Sequence, residues 1–158
     1  MPPLDNRHGY RGYTTSKPFM RERVPQHIQN LVIRDYASRN NLAYLLSVTE
    51  YTMKGSHMIL DQVLSDLAGL EGLICYSVFQ LPLSADLRKG VYVKILEAGC
   101  DIHFAVEGLV LSTEQNAAKI EDIWRVRQAL SSCPSSDMVR GAASVVKVAI
   151  GQCRERDV

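Results

Sequence analysis

The stretch RVPQHIQNLVIRDYASRNNLAYLLSVTEY, residues 23–51, predicts the architecture of the chain, because it contains a complete helix and the strand that follows it. Pro25 stands where a first helical turn tolerates proline. Asn40 and Asn41 are residues that often end a helix in a left-handed conformation. The apolar residues that recur at helical spacing between them are predicted to face the core: Ile28, Leu31, Val32 and Tyr36.

The run after this helix, AYLLSV at residues 43–48, is short, nearly all apolar and flanked by polar residues. Such a run is typical of a strand that is covered on both faces by other parts of the protein. We therefore predict a buried strand here, and the polar residues Thr49, Glu50 and Tyr51 follow at its carboxyl end.

Helices and strands continue to alternate along the rest of the chain. Strands are predicted at residues 10–14, 72–79 and 100–106, with a short fifth strand at 108–112. Helices are predicted to open at Gly55-Ser56, at Ser84 and at Thr113. Their predicted inward-facing residues are Leu60, Val63, Leu64 and Leu67 in the first, Leu87, Val91, Ile95 and Ala98 in the second, and Ile120, Ile123, Trp124 and Val126 or Arg127 in the third.

Alternation of this kind is typical of right-handed βαβ units on a mostly parallel sheet. We predict a three-layer α/β domain over residues 1–131, with strand order 2-1-3-4, helices on both faces and the short fifth strand at an edge. Residues 132–158 are predicted to form an extra C-terminal helix that packs on the domain or supplies a dimer surface. Its apolar stripe consists of Met138, Ala142, Val145, Val146 and Ala149.

The charge and composition of the chain exclude several classes of protein. A chain of 158 residues with a formal net charge of +1 has no global attraction to DNA or to an anionic membrane. The N-terminal residues lack the apolar core of a signal peptide, and no apolar run reaches the roughly 20 residues that span a bilayer. Cys75 and Cys100 fall in apolar runs, as buried thiols do. We expect a soluble, reduced, cytoplasmic protein.

Polar side chains follow each predicted strand at its carboxyl end, which is the edge where parallel sheets bind ligands. The first long helix adds N–H groups that favour an anion, and basic residues stand beside it in the sequence. The candidates for acid–base or nucleophilic chemistry are Thr14, Glu50, His103 and Glu107. The candidates for ligand binding are Arg11, Tyr13, Ser16, Lys17, Arg21, Arg23, Gln26, His27, Asn30, Ser77 and Gln80.

Each candidate also has an ordinary structural interpretation. His103 lies inside an apolar strand and suits a hydrogen-bonded core histidine as well as a proton carrier. Glu50 and Glu107 are each suited to cap a helix or to pair with Arg11, and the basic loop is equally suited to lie in solvent. His27, His57 and His103 lack metal-ligand spacing. With no glycine-rich phosphate loop either, the sequence predicts no metal and no cofactor.

Residues 10–112, roughly, contain a short strand, a hydroxyl cluster, a basic loop, a helix containing IRDYA, and later LEAG and VEGL segments. In these features the chain resembles the catalytic domain of serine recombinases. The resemblance implies a resolvase-like fold with a nucleophile at Thr14. Gly12 and the region of Ser56 and His57 replace arginines of that family, and SVFQLP replaces an arginine pair. Phosphoryl transfer depends on such charges, so DNA cleavage and DNA binding are not expected.

Longer strings resemble the sporadic carbohydrate cluster protein family, over about residues 9–131. They are GYRGYTTSKPFMRERVPQHIQNLVIRDY, YLLSVTEY, YSVFQLP and EDIWRVRQAL. That resemblance implies a place in bacterial surface polysaccharide or lipopolysaccharide synthesis without defining a reaction. The segment after Leu130 is not part of the pattern.

Two functional hypotheses follow. In the first, the protein binds or modifies a sugar or nucleotide sugar. The diphosphate lies against the first helix, where Arg11, Arg21 and Arg23 reach the same volume as the N–H groups of Gln26 and His27. In the second, the protein is a resolvase-like homodimer that regulates or scaffolds glycan enzymes without cleaving DNA.

Overall fold

The described residues include five strands and four complete α-helices. The computed structural model describes residues 7–19, 21–51, 53, 55–136, 138 and 140–141. The strands are β1 (Tyr10–Thr15), β2 (Tyr44–Glu50), β3 (Gly72–Cys75), β4 (Asp101–Phe104) and β5 (Leu109–Leu111). The helices are α1 (Gln26–Arg39), α2 (Met58–Ser65), α3 (Ala85–Glu97) and α4 (Glu114–Ser132). Two 3₁₀ turns, Leu67–Gly69 and Val78–Gln80, flank β3.

The strands form one sheet in the order β2-β1-β3-β4-β5. The first four are parallel, and β5 runs antiparallel to β4. Tyr10 pairs with Tyr44 on one side and with Gly72 on the other, so β1 lies between β2 and β3. The predicted α/β class and strand order, including the short edge strand, are confirmed.

Helices cover both faces of this sheet. All four residues of β3 are buried, which requires cover on each side because successive side chains alternate. On one face, Ile74 packs in a cluster with Ile33 and Tyr36 of α1. Tyr13 is in register with Cys75 on the other face, where the Glu50 carboxylate that it contacts also binds the start of α2. The sheet is thus the middle one of three layers.

The inward face of α1 differs from the predicted one. Ile28 and Leu31 are exposed by 38% and 65%, and Val32 is half-buried. The buried residues are Gln29, Ile33, Tyr36 and Ala37. Tyr36 is buried as predicted. The prediction was wrong at Ile28 and Leu31 because it ranked positions by apolarity, whereas the polar Gln29 occupies an inward position through its hydrogen bonds.

The strand β2 also differs from its prediction as a fully covered strand. It is the edge strand of the sheet, and Leu46 is 79% exposed. The pairing of β2 with β1 shifts register between Arg11 and Tyr13, so that two residues of β2 oppose Gly12. A bulge of this kind bends an edge strand and hinders its pairing with another chain.

The helix α3 departs from its prediction at one turn. Leu87 is more than half exposed, whereas Val91 and Ile95 are buried as predicted. Arg88 takes the inward position instead and is 2% exposed. A charged side chain occupies that position because Glu121 pairs with it, and a pattern of apolar residues contains no signal of such a pair.

The chain divides into two compact units, Met1–Asp122 and Ile123–Val158. The first contains the sheet, α1 to α3 and the start of α4. In the second, α4 continues to Ser132, and residues 136, 138, 140 and 141 are helical. Of the two residues predicted as alternatives, Val126 is exposed and Arg127 is half-buried. Residues 142–158, where most of the predicted last helix falls, lie outside the described residues. No helix within the described part is long and apolar enough to cross a bilayer.

Candidate functional site

Two buried glutamines join the carboxyl ends of β1 and β3. The Gln29 amide accepts a hydrogen bond from the Thr15 N–H at 3.0 Å and donates to the carbonyls of Thr15 and Val24, both at 2.8 Å. Gln80 donates to Gln29 Oε1 at 2.7 Å, and its own Oε1 accepts from the N–H groups of Tyr76 and Ser77. These bonds fix the path of the backbone where β1 leads into the first loop.

Glu107 extends this network from the turn after β4. Its Oε1 accepts from the Ser77 hydroxyl at 2.6 Å, and its Oε2 accepts from the Val78 N–H at 3.1 Å. The predicted strand at 72–79 therefore ends at Cys75, because the chain turns into a 3₁₀ segment capped by Ser77 and Gln80. Glu107, Ser77 and Gln80 are brought together, as three polar residues that stabilise a turn.

Glu50 lies at the start of α2 rather than in an open cleft. It is 3% exposed, and its Oε2 accepts from the N–H groups of Ile59 and Leu60 at 3.0 and 3.1 Å. The Tyr13 hydroxyl donates to the same oxygen at 3.4 Å. Burial, and then the nearby Glu50 carboxylate, raise the pKa of Tyr13. This is the helix-capping arrangement that the residue type allows.

The hydroxyl cluster after β1 is directed toward β2. Thr14 is fully buried, and its Oγ1 donates to the Val48 carbonyl and lies 2.9 Å from Thr49 Oγ1. Ser16 Oγ donates to the Glu50 carbonyl. Gly12 is so close to Ser47 and Tyr44 that an added Cβ would overlap the Ser47 hydroxyl. There is no room here for the arginine that the recombinase resemblance has at this position.

His103 lies apart from these residues, within β4 on the face that α1 covers. Its Nδ1 is 3.0 Å from the Tyr36 hydroxyl, and its Nε2 is 3.5 Å from Asp101 Oδ2, which is long for a hydrogen bond. The Tyr10 ring packs edge-on against the imidazole. His103 is therefore a core histidine in a tyrosine-lined environment and does not meet Glu50 or Glu107.

A cavity of about 470 Å³ opens at the N-terminus of α1. Its lining consists of Ser16, Arg23, Val24, Pro25, Gln26 and His27. Pro25 provides no side-chain cap, and the first turn has no acidic residue. The Pro25 carbonyl accepts from the N–H groups of Ile28 and Gln29. Gln26 and His27, which precede the first N–H groups that are bonded within the helix, are among the residues that line the cavity.

The other predicted basic residues do not line this cavity. Arg11 alternates with Tyr10 along β1 and so points to the face opposite α1. Lys17 Nζ donates to the Ser56 carbonyl before α2. Arg21 is exposed, with a φ of 65°, in the tight turn between Phe19 and Glu22. The predicted convergence of Arg11, Arg21 and Arg23 on one volume is reduced to Arg23.

Asn30 and His57 are two further polar residues near this edge of the sheet. Asn30 lies on α1, half-buried, with its Oδ1 buried and without a hydrogen-bond partner among the described residues. Burial, followed by the charge of Lys17, lowers the pKa of His57. Neither side chain lines the cavity.

Three functional or structural residues are absent from the sequence prediction: Gln29, Arg88 and Asp101. Gln29 had a detectable signal, since it is four and eight residues before Ile33 and Ala37 on one helical face. Asp101 lines a second cavity of about 280 Å³ at the amino edge of the sheet, together with Arg7, Tyr10 and Glu71. Burial and then Asp101 raise the pKa of Tyr10.

The described residues contain no group of three or more histidine, cysteine or acidic side chains arranged to hold a metal ion. No protein-family model matches the chain. No curated protein sequence matches it either. The geometry at the N-terminus of α1 therefore carries the functional argument.

Proposed function

We propose that the protein binds the diphosphate of a nucleotide sugar, in the pathway of surface-carbohydrate synthesis that the family resemblance implies. The observation that carries the proposal is the cavity at the start of α1. Its volume of about 470 Å³ falls within the range of small-molecule sites. Its walls combine the first residues of α1 with Arg23 and His27. The N–H groups of a helix N-terminus and basic side chains are groups that bind phosphate oxygens.

Hydrogen bonds that hold the loop beside the cavity support the same function. Ser16 and Val24 enter and leave the loop that forms its wall, and Gln29 holds the carbonyls of Thr15 and Val24 with one amide group. A preorganised wall reduces the entropy that a ligand loses on binding. An acid–base role for Glu50, His103 or Glu107, and a nucleophilic role for Thr14, stay predictions, because each of these side chains is engaged in hydrogen bonds inside the fold.

Calorimetric titration with a nucleoside diphosphate sugar tests the proposal. We expect Arg23→Ala to weaken binding at least about tenfold, since a hydrogen bond to a charged group contributes about 1.5–3 kcal/mol. Arg11→Ala is the matched control, because Arg11 lies on the other face of the sheet, and it should leave the affinity unchanged. Equal affinities for the native protein and both variants, or no heat of binding at all, would end the proposal.

A second candidate function is that of a homodimeric regulator or scaffold. The observation that favours it is the exposure of Leu31 on α1 and Leu46 on β2, at 65% and 79%. Sedimentation velocity of the native protein and of the Leu31→Ser/Leu46→Ser variant tests it. A dimer that the variant dissociates supports this function, and a monomeric native protein at high micromolar concentration excludes it.

A further inference from the structure

Large apolar side chains are exposed at one edge of the sheet and not at the other. At the carboxyl edge, six of them lie in loops or first helical turns, each more than half exposed: Tyr51, Met53, Met58, Leu83, Leu87 and Val106. We call these six residues the apolar fringe. In the described turns of the amino edge, residues 40–43, 66–71 and 98–100, no large apolar side chain is exposed to that degree.

The apolar fringe spans several connections of the same edge. Tyr51, Met53 and Met58 follow β2, Leu83 and Leu87 follow β3, and Val106 follows β4. Neighbouring strands are about 4.8 Å apart. The connections after β3 and β4 are therefore adjacent, whereas β1 separates the connection after β2 from the one after β3. An accumulation of exposed apolar surface at one end of a protein marks a surface that contacts a partner or a membrane.

Basic side chains stand beside the apolar fringe. The loop between β1 and α1 carries Lys17, Arg21 and Arg23 with one acid, Glu22, and both arginines are exposed. This loop is joined to the segment before α2, since Lys17 Nζ donates to the Ser56 carbonyl. The excess of positive charge is therefore local to this loop, since Asp61 and Asp86 lie in the first turns of α2 and α3 at the same edge. The formal net charge of the chain is only +1.

We propose that the carboxyl edge docks on the surface of an anionic phospholipid bilayer. The fringe side chains are distributed over three connections of one edge, in loops and first helical turns, which suits contact with lipid headgroups. Tyrosine favours that interface because its ring is apolar and its hydroxyl is polar. Arg21 and Arg23 are placed to pair with lipid phosphates. The inference goes beyond the proposed function.

Co-sedimentation with vesicles tests this docking. Vesicles of phosphatidylcholine alone and of phosphatidylcholine with phosphatidylglycerol are incubated with the native protein at low and high salt. We expect binding to the mixed vesicles, at least about tenfold stronger than to the neutral ones and weakened by salt. The Met53→Ser/Met58→Ser variant should bind at least about tenfold more weakly.

The matched control is Leu46→Ser/Val93→Ser, which removes two exposed apolar side chains away from this edge. It should bind mixed vesicles as the native protein does. Any of three results overturns the proposal: no binding to vesicles, equal binding to both vesicle types, or an equal loss of vesicle binding in the two variants. Self-association that only Met53→Ser/Met58→Ser abolishes, without vesicle binding, would assign the fringe to a second copy of the chain instead. Ligand titration in solution is independent of each of these outcomes.

Discussion

Gly12 lies opposite the bulge of β2, where a Cβ would overlap Ser47 Oγ and approach the Tyr44 ring. We predict that Gly12→Ala lowers the free energy of unfolding by about 1–3 kcal/mol, the usual range for overpacking. Chemical denaturation measures the change. Gly69→Ala is the control, because a Cβ there meets nothing within 4 Å.

The proposed cause can be separated from a general sensitivity of β1. If the Ser47 hydroxyl is the obstacle, Ser47→Gly should recover part of the stability that Gly12→Ala loses, in a double-mutant cycle. Additive losses in the two single variants would show that Ser47 is not the obstacle.

Gln29 is a buried amide that serves four hydrogen-bonding groups, among them both backbone groups of Thr15. Gln29→Leu keeps a similar volume but leaves those groups unpaired. Each unpaired group that water cannot reach lowers the free energy of unfolding by about 1–3 kcal/mol. We predict a loss of at least about 3 kcal/mol in the free energy of unfolding. Gln62→Leu, on the exposed side of α2, should change it by less than about 0.5 kcal/mol. Similar stabilities of the two variants in denaturant would contradict the role of Gln29.

At the scale of the elements, Glu50 connects the end of β2 to the start of α2. We predict that Glu50→Ala lowers the free energy of unfolding by about 1–3 kcal/mol, since the N–H groups of Ile59 and Leu60 lose their acceptor. Glu50→Gln keeps an acceptor oxygen and should lose less. Thermal denaturation ranks the three proteins. A stable Glu50→Ala variant that loses only ligand affinity would instead favour a role in the site.

A buried ion pair ties α3 to the start of α4. Arg88 donates to both Glu121 oxygens, at 2.8 and 2.9 Å, and the Tyr92 hydroxyl donates to Oε1. Arg88→Met leaves the carboxylate without its charged partner, and removing one member of such a pair costs about 3–5 kcal/mol. We predict a loss of that size in denaturant. Arg88→Met/Glu121→Leu should recover much of it, and failure to do so would show that the charge of Glu121 is not the cause.

The same pair predicts a pH dependence. Hydrogen bonding from Arg88 lowers the pKa of Glu121 below its ordinary value. A depressed pKa in the folded state gives stability that is complete above the unfolded pKa and is lost as the pH falls through the folded one. We therefore expect native stability to decrease below about pH 4. Glu121→Gln should show a smaller decrease, and identical slopes for the two proteins would contradict the prediction.

The alternation of elements was predictable because each helix and strand carries its own period in the sequence. The faces of α1 and α3 were predicted less well, since Gln29 and Arg88 occupy inward positions through partners that are distant in the chain. The same limit applies to the candidate site. One cavity brings together four predicted residues that flank a single loop: Ser16, Arg23, Gln26 and His27. The positions of Arg11 and His103, in contrast, depend on which face of the sheet their side chains reach.

At the scale of the whole molecule, the near-neutral net charge predicts that the protein does not bind nucleic acid. We predict no nicking of supercoiled plasmid and no salt-sensitive duplex binding at micromolar protein, because the formal net charge is +1 and Thr14 is fully buried. Gel electrophoresis and fluorescence anisotropy measure the two activities. A nicked product that disappears in Thr14→Ala would contradict the prediction and favour a recombinase.

The interior position of β1 has a consequence for synthesis. This strand is made first, yet its two neighbours are β2 and β3, which end at Glu50 and Cys75. A ribosome adds about 5–20 residues per second, so about 3–12 seconds separate Thr15 from Cys75. Throughout that interval one side of β1 has no partner strand. The nascent chain therefore exposes a strand edge that the finished protein conceals, and this interval is when a chaperone that binds extended backbone would engage it.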